Sequence, residues 1–390
     1  MLRGSARIGD TPASAQAAWG VKLRGEWGGR VEAALSSRTA YSTGNTPSIA
    51  ASTAYYGRKY LGKLVLGDYS MRLGQGLLGW SGFVLAPYSG VNSLRRSPTG
   101  FSLSGAFETD MHGVAADFDF GRWSAGAAWS VRGNVPAGFV TYTSRTMSAS
   151  LNATSRGVSC SWQLGLPSLS LYGELAWTGR IDAVCGLMWV PKYSWKFGAL
   201  ARRIDGVNEI IAAGALPQMD AVIALSNKQF RLMYKYAPTV RCGAVELRPL
   251  LRLAARRNPA WRLEARGEFE ARSQALMVKV RADAVHCRSL SMLAYAEAGK
   301  CEGKLTAYLR FTAFAVDNWD DRIWVYERDA PGNFNVPAYC GRGWAASAAA
   351  AFKPSRRHSL YLRVSLLRYP WMSETKEGRS EVRLQYQLKL

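Results

Sequence analysis

Long apolar runs are missing from this chain. The longest, at 210–216 and 344–352, fall far short of the roughly 18 uninterrupted apolar residues a membrane-crossing helix needs. With 20% charged residues and a mean hydropathy of −0.12, a helical membrane protein is excluded. Acidic residues are scarce: 28 Asp and Glu face 50 Lys and Arg, giving a net charge of +22 that makes anions the default partners. Basic residues form no local cluster, so charge alone does not single out a nucleic-acid-binding motif. The six cysteines, at 160, 185, 242, 287, 301 and 340, include no CxxC pair and no metal-ligand spacing, so no zinc site is expected. Cys287 and Cys301 bracket an expected strand at 289–297 and fall at its opposite ends, beyond disulfide reach. Cys160 is in phase with Val158 and Trp162 and reads as a small apolar side chain facing lipid. Histidine is nearly absent. His112 is expected in a turn and His286 and His358 at strand ends, near Ser289 and Ser359, which is too common an arrangement to read as catalysis. No catalytic residue, metal or cofactor is therefore expected.

What the chain does have is alternation. Across 261–272 the odd positions are Trp261, Leu263, Ala265, Gly267, Phe269 and Ala271, and the even ones are all Arg or Glu. Period two is a strand and cannot be a helix. After a turn near Gln274, Leu276, Val278, Val280, Ala282 and Ala284 face one way, and Lys279, Arg281 and Asp283 the other. Strands in soluble sandwiches run about five or six residues; about ten is the length that crosses a bilayer at a tilt. A turn at Gln274 and Ala275 sets Glu270 opposite Lys279, Glu268 opposite Arg281 and Arg266 opposite Asp283. Burying such a ladder in protein would cost desolvation energy, so the charged face is expected to look into a wet lumen.

The rest of the chain repeats this rhythm. Residues 1–15 read as a polar tail or linker and 16–390 as one outer-membrane β-barrel of about 20–22 antiparallel strands. The glycine-dense stretch at 70–98 is expected to fold inward, and Asp68, Tyr69 and Gln75 could line a constriction or pin that loop by hydrogen bonds. A longer connection is expected at 204–219, with one helical turn at 210–216, and a bulge at Pro249. The acids Asp317, Asp320, Asp321, Glu327 and Asp329 form a second irregular region. Arg322 and Arg328 among them favour local ion pairing over calcium. No apolar export signal is visible at residues 1–7, so a segment upstream is expected to carry it.

Two segments carry a family likeness. Gly67-Asp68-Tyr69 with Gly74-Gln75-Gly76-Leu77 and Trp80-Ser81-Gly82, and the run from Asp317 through Trp319, Arg322, Trp324 and Glu327 with Tyr339 and Gly341-Arg342-Gly343, resemble the outer-membrane barrel of Gram-negative helix-hairpin-helix domain-containing proteins. The resemblance implies an outer-membrane location and a link to DNA uptake or handling. Together these observations lead to the expectation of a channel or transport barrel for anionic or polymeric cargo. The alternative is a non-conducting barrel that anchors a partner complex. Candidate partners are membrane lipid, an anionic solute or nucleic acid, and a periplasmic protein.

Overall fold

The computed structural model describes residues 2–9, 16–39, 47–81, 86–104, 111–372 and 377–389. Alternating residues decide the architecture. In the strand Trp261–Arg272 the apolar positions Leu263 and Phe269 are exposed, while Arg262 is 5% exposed on the opposite, inner face. The same division runs through Leu276–His286, Leu290–Lys300 and Leu305–Val316, which show Val278, Met292 and Leu309 outward and Met277, Leu293 and Arg310 inward.

Among the described residues, twenty-six strands form one antiparallel sheet. Successive strands pair along the chain, and Leu2–Gly9 pairs on one side with Gln16–Trp27 and on the other with the last strand, Arg379–Leu388. A ladder in which the first strand bonds the last has no free edge, and this is the hydrogen-bonding topology of a β-barrel. The only other regular elements among the described residues are three-residue 3-10 turns and a two-stranded piece, Ile323–Trp324 with Ala338–Tyr339. Two compact units can be distinguished: residues 1–21, 38–47 and 233–390 in one, and 22–37 and 48–232 in the other.

Several expectations are corrected. Among the described residues the sheet has 26 strands, not 20–22, because Leu2–Gly9, Val135–Thr143, Val207–Leu216 and the short Val240–Cys242 also pair. Residues 2–9, expected within a tail, form a strand; Leu2, Gly4, Ala6 and Ile8 do alternate with polar residues, but glycine and alanine make that alternation faint. The expected connection at 204–219 is the strand Val207–Leu216, with no helical turn. Its pattern is masked because Ile210 faces outward while Ile211 and Ala213 are buried on the inner face, so both faces are apolar. No bulge occurs where Pro249 sits opposite Phe269, and the register runs through it unbroken. His112 lies within the strand Met111–Asp119 and not in a turn. Residues 10–15 of the expected tail and 82–85 of the expected inward stretch, Gly82 among them, fall outside the described residues.

Each unit has its own core on the inner face. In the second unit Val65, Tyr69, Met71, Phe101 and Ala115 pack together, with Tyr69 edge-on to Phe101 at 5.9 Å. In the first unit Val285, Leu293, Phe314 and Val316 of the wall pack against Ile323, Val325 and Tyr339 of an irregular segment. Fully burying an aliphatic side chain such as Ile323 or Val325 is worth roughly 1.5–3 kcal/mol, enough to hold that segment against the wall.

Candidate functional site

The first inner segment follows the strand Leu61–Arg72 and belongs to the second unit. Its backbone turns tightly, with Leu73 N donating to Gly79 O at 3.0 Å and Ser81 N to Met71 O at 2.7 Å. Glu174, on the inner face of Leu169–Trp177 and 2% exposed, is the anchor. It accepts hydrogen bonds from Gln75 N at 2.6 Å, Leu77 N at 3.1 Å and Ser159 Oγ at 2.7 Å. Gly74 permits this approach: its φ is +53°, and a Cβ there would lie 2.6 Å from the Glu174 carboxyl carbon.

A second anchor lies further along. Tyr88 donates to Glu209 Oε1 at 2.6 Å and accepts from Gln229 Nε2 at 2.9 Å, while the Arg231 guanidinium stacks 4.1 Å from its ring centroid. Burial, and then the Glu209 carboxylate beside it, push the Tyr88 hydroxyl above its ordinary pKa. The hydroxyl therefore stays protonated and a donor.

The expected constriction residues separate into two roles. Gln75 pins the segment, with Oε1 accepting from Arg96 N at 3.0 Å and Nε2 donating to Arg96 O at 3.2 Å. Asp68 and Tyr69 belong to the strand Leu61–Arg72 and are buried. Asp68 accepts from Ala51 N at 2.7 Å and lies 3.0 Å from His112 Nδ1.

The charged ladder sits in the first unit. Arg266 stands opposite Asp283, Glu268 opposite Arg281 and Glu270 opposite Lys279. Facing in register is not the same as bonding. Arg266 Nε meets Asp283 Oδ1 at 2.7 Å, but Glu268 pairs diagonally with Lys279 at 2.5 Å, and Lys279 reaches Glu270 only at 3.6 Å. Arg281 turns along its own strand to Asp283 Oδ2 at 2.6 Å and donates to Trp324 O at 3.3 Å.

The acceptor at Trp324 belongs to a second inner segment that strand alternation does not reveal. Residues 317–340 cross the inner face of several strands, and wall arginines take their carbonyls at alternate residues. Arg262 donates to Asp320 O and, at 2.8 Å, to Arg322 O. Arg281 takes Trp324 O, and Arg310 donates to Tyr326 O at 2.7 Å. Each acid of the segment has its own partner. Asp317 is bidentate with Arg342 at 2.6 and 2.7 Å. Glu327 accepts from the Tyr339 hydroxyl and pairs with Arg363, and Asp329 pairs with Arg383. Burial raises the Asp321 carboxyl, but hydrogen bonds from Ser289 N, Arg288 N and Ser289 Oγ outweigh it and hold its pKa below the ordinary aspartate value. Among the described residues these acids form no cluster arranged to hold a metal ion.

No family model matches the chain, and no curated protein does. Solved structures do. Pseudomonas aeruginosa OccK7 (OpdD) aligns at 8% identity with a TM-score of 0.41, covering 100% of this chain and 96% of that one. OccK11 (OpdR) of the same organism aligns at 11% identity and 0.39, covering 100% and 94%. The outer membrane protein opdK, also from that organism, aligns at 10% identity and 0.38, covering 99% and 97%. Likenesses this weak carry no argument about fold or function, which rest on the pairing and side chains of the chain itself.

The second inner segment explains part of the basic excess. Arg262, Arg281 and Arg310 spend donors on neutral carbonyls as well as carboxylates, so an arginine here has work that no acid balances. The one available sequence signal was the alternation of Ile323, Val325 and Glu327 with Trp324 and Tyr326, which the flanking acids obscured.

Proposed function

We propose that the chain is an outer-membrane β-barrel of a Gram-negative bacterium that passes anionic or polymeric cargo through a basic, ion-paired lumen. The observation that carries this reading is the division of each strand's faces: Leu263, Phe269, Val278 and Leu309 are exposed on one side, and Arg266, Glu268, Lys279 and Asp283 line the other. An apolar face this extensive is stable against lipid and not against water, and a charged face of paired ions needs solvent. The reading involves no catalysis; its chemistry is positioning and electrostatics. A role in DNA uptake or handling, implied by the resemblance to helix-hairpin-helix domain-containing proteins, is part of this proposal, as are nucleic acid and a periplasmic protein as partners.

Purified protein in planar bilayers tests the reading. Stepwise, anion-selective conductance is expected, and silence that persists after residues 73–99 are deleted would overturn it.

A second reading is a non-conducting barrel that anchors a partner. It is favoured by one observation, the inner segment 317–340 fixed by wall arginines that include Arg262, Arg281, Arg310, Arg363 and Arg383. Under that reading the bilayer stays silent until the segment is released.

A further inference from the structure

The segment that crosses the inner face of the first unit has two sides, and only one of them is used for attachment. Ile323, Val325 and Glu327 are buried against the wall, and the carbonyls of Arg322, Trp324 and Tyr326 are taken by arginines. The other side carries Trp319, Trp324, Tyr326 and Phe334, which are 57%, 50%, 52% and 79% exposed. These four rings stay largely exposed although Tyr326 and Phe334 meet ring to ring, with centroids 6.3 Å apart. Trp324 and Tyr326, two residues apart on extended backbone, stand about 6.6 Å apart, roughly twice the 3.4 Å that a stacked strand allots each nucleotide. Guanidinium groups are interleaved with the rings. Arg322 lies 4.7 Å from the Trp319 ring centroid and 5.8 Å from that of Trp324, and its Nε is buried with no partner among the described residues.

The charge beside these rings is positive. Glu297 alone answers both Arg310, at 2.5 Å, and Arg328, at 2.8 Å. Glu264 alone answers both Arg262, at 2.7 Å, and Arg252, at 3.8 Å. A cavity of about 210 Å³ brings Arg252, Arg262 and Arg266 together with Trp324, balanced by only Glu264 and Asp283. Of the segment's own acids, Asp317, Glu327 and Asp329 are paired with Arg342, Arg363 and Arg383 and Asp320 lies 3.5 Å from Arg288, so only Asp321, which accepts from the neutral Ser289 and Arg288 amides, offsets part of this excess.

We propose that this side is a track for a single strand of nucleic acid, with unstacked bases on Trp319, Trp324, Tyr326 and Phe334 and phosphates at Arg322, Arg328 and the cavity arginines. Rings alternating with cations are what a splayed anionic strand requires, since every base offers a face and every linkage a charge. A neutral oligosaccharide would use the rings but leave the excess charge without a role. The inference deepens the reading of a barrel for anionic polymeric cargo and rests on it.

The full chain in detergent, titrated with fluorescein-labelled oligodeoxythymidine and followed by anisotropy, decides it. The oligomer is expected to bind more tightly than a duplex of equal length or an abasic oligomer. Trp319→Ala and Tyr326→Ala should each weaken it by about fivefold or more, while Trp324→Phe, which keeps a ring and the fold, retains binding. Replacing Arg322 and Arg328 with Ala should flatten the dependence of log affinity on log salt by about 0.7 for each phosphate no longer neutralised, a change the ring variants do not produce. Equal binding of the abasic oligomer, affinity indifferent to the ring variants, no binding of the oligomer, or its displacement by maltohexaose would each overturn the inference. Anion-selective conductance in bilayers without oligomer binding sinks the track alone, and absence of conductance sinks the reading beneath it.

Discussion

Glu174 shows what a single buried carboxylate does here. It holds two backbone amides and a hydroxyl of the second unit, and Glu174→Ala leaves those donors buried and unmet. Each costs roughly 1–3 kcal/mol, so a clearly lower urea midpoint for the vesicle-inserted protein is expected, with Glu174→Gln milder because an acceptor remains. Asp321, in the turn Trp319–Asp321, gives a pH signature instead. Its folded pKa is depressed by the Ser289 and Arg288 hydrogen bonds, which prevail over burial. A depressed carboxyl contributes stability that is full above the unfolded value of about 3.9 and is lost as pH falls through the still lower folded value. The segment should therefore resist pepsin down to about pH 4 and become cleavable below it, whereas Asp321→Asn should weaken protection across the whole range. Identical pepsin profiles for the two proteins would remove Asp321 as an anchor.

Among the elements, the second inner segment makes the strongest demand on its surroundings, because its attachment is long-range. Arg281→Ala together with Arg310→Ala removes the donors to Trp324 O and Tyr326 O. The strand register does not depend on those bonds, so the sheet should still form while the segment loosens, and single-channel conductance should rise. Unchanged conductance with intact folding would mean the segment does not restrict passage. The same long range explains what could and could not be seen in the sequence. The hairpin from Trp261–Arg272 to Leu276–His286 was legible down to its register, because the inner face of its first strand is wholly charged and the turn is short. Val207–Leu216 was not, because its inner face is apolar where the neighbouring 3-10 turns pack, and Glu209 is drawn to Tyr88 121 residues away. The inner course of 317–340 was hidden for the same reason: Arg262 and Arg281 lie 60 and 43 residues from the carbonyls they hold. Register is written locally in alternation, whereas the choice of which loop turns inward is written in distant donors.

At the scale of the whole molecule, the claim that matters is that one face of the sheet meets lipid and the other meets water. Leu305–Val316 offers a controlled comparison within one strand. Leu309 is exposed with Phe311 on the apolar face, and Thr306 shares the inner phase with Arg310 and Thr312. Arginine on a lipid-facing strand position near the bilayer midplane costs about 2–4 kcal/mol, and lumen positions escape most of that penalty because the guanidinium stays hydrated. Leu309→Arg should therefore lower the fraction folded into phosphatidylcholine vesicles at a given urea concentration, and Thr306→Arg should leave it nearly unchanged. In a detergent micelle the gap should narrow, because a micelle deforms around a buried charge more readily than a bilayer does. The two substitutions add the same charge to the same strand three residues apart, so a difference between them reports sidedness and not net charge. If both cost the same in vesicles, the apolar face is not in lipid, and the closed ladder from Leu2–Gly9 to Arg379–Leu388 encloses something other than a membrane pore.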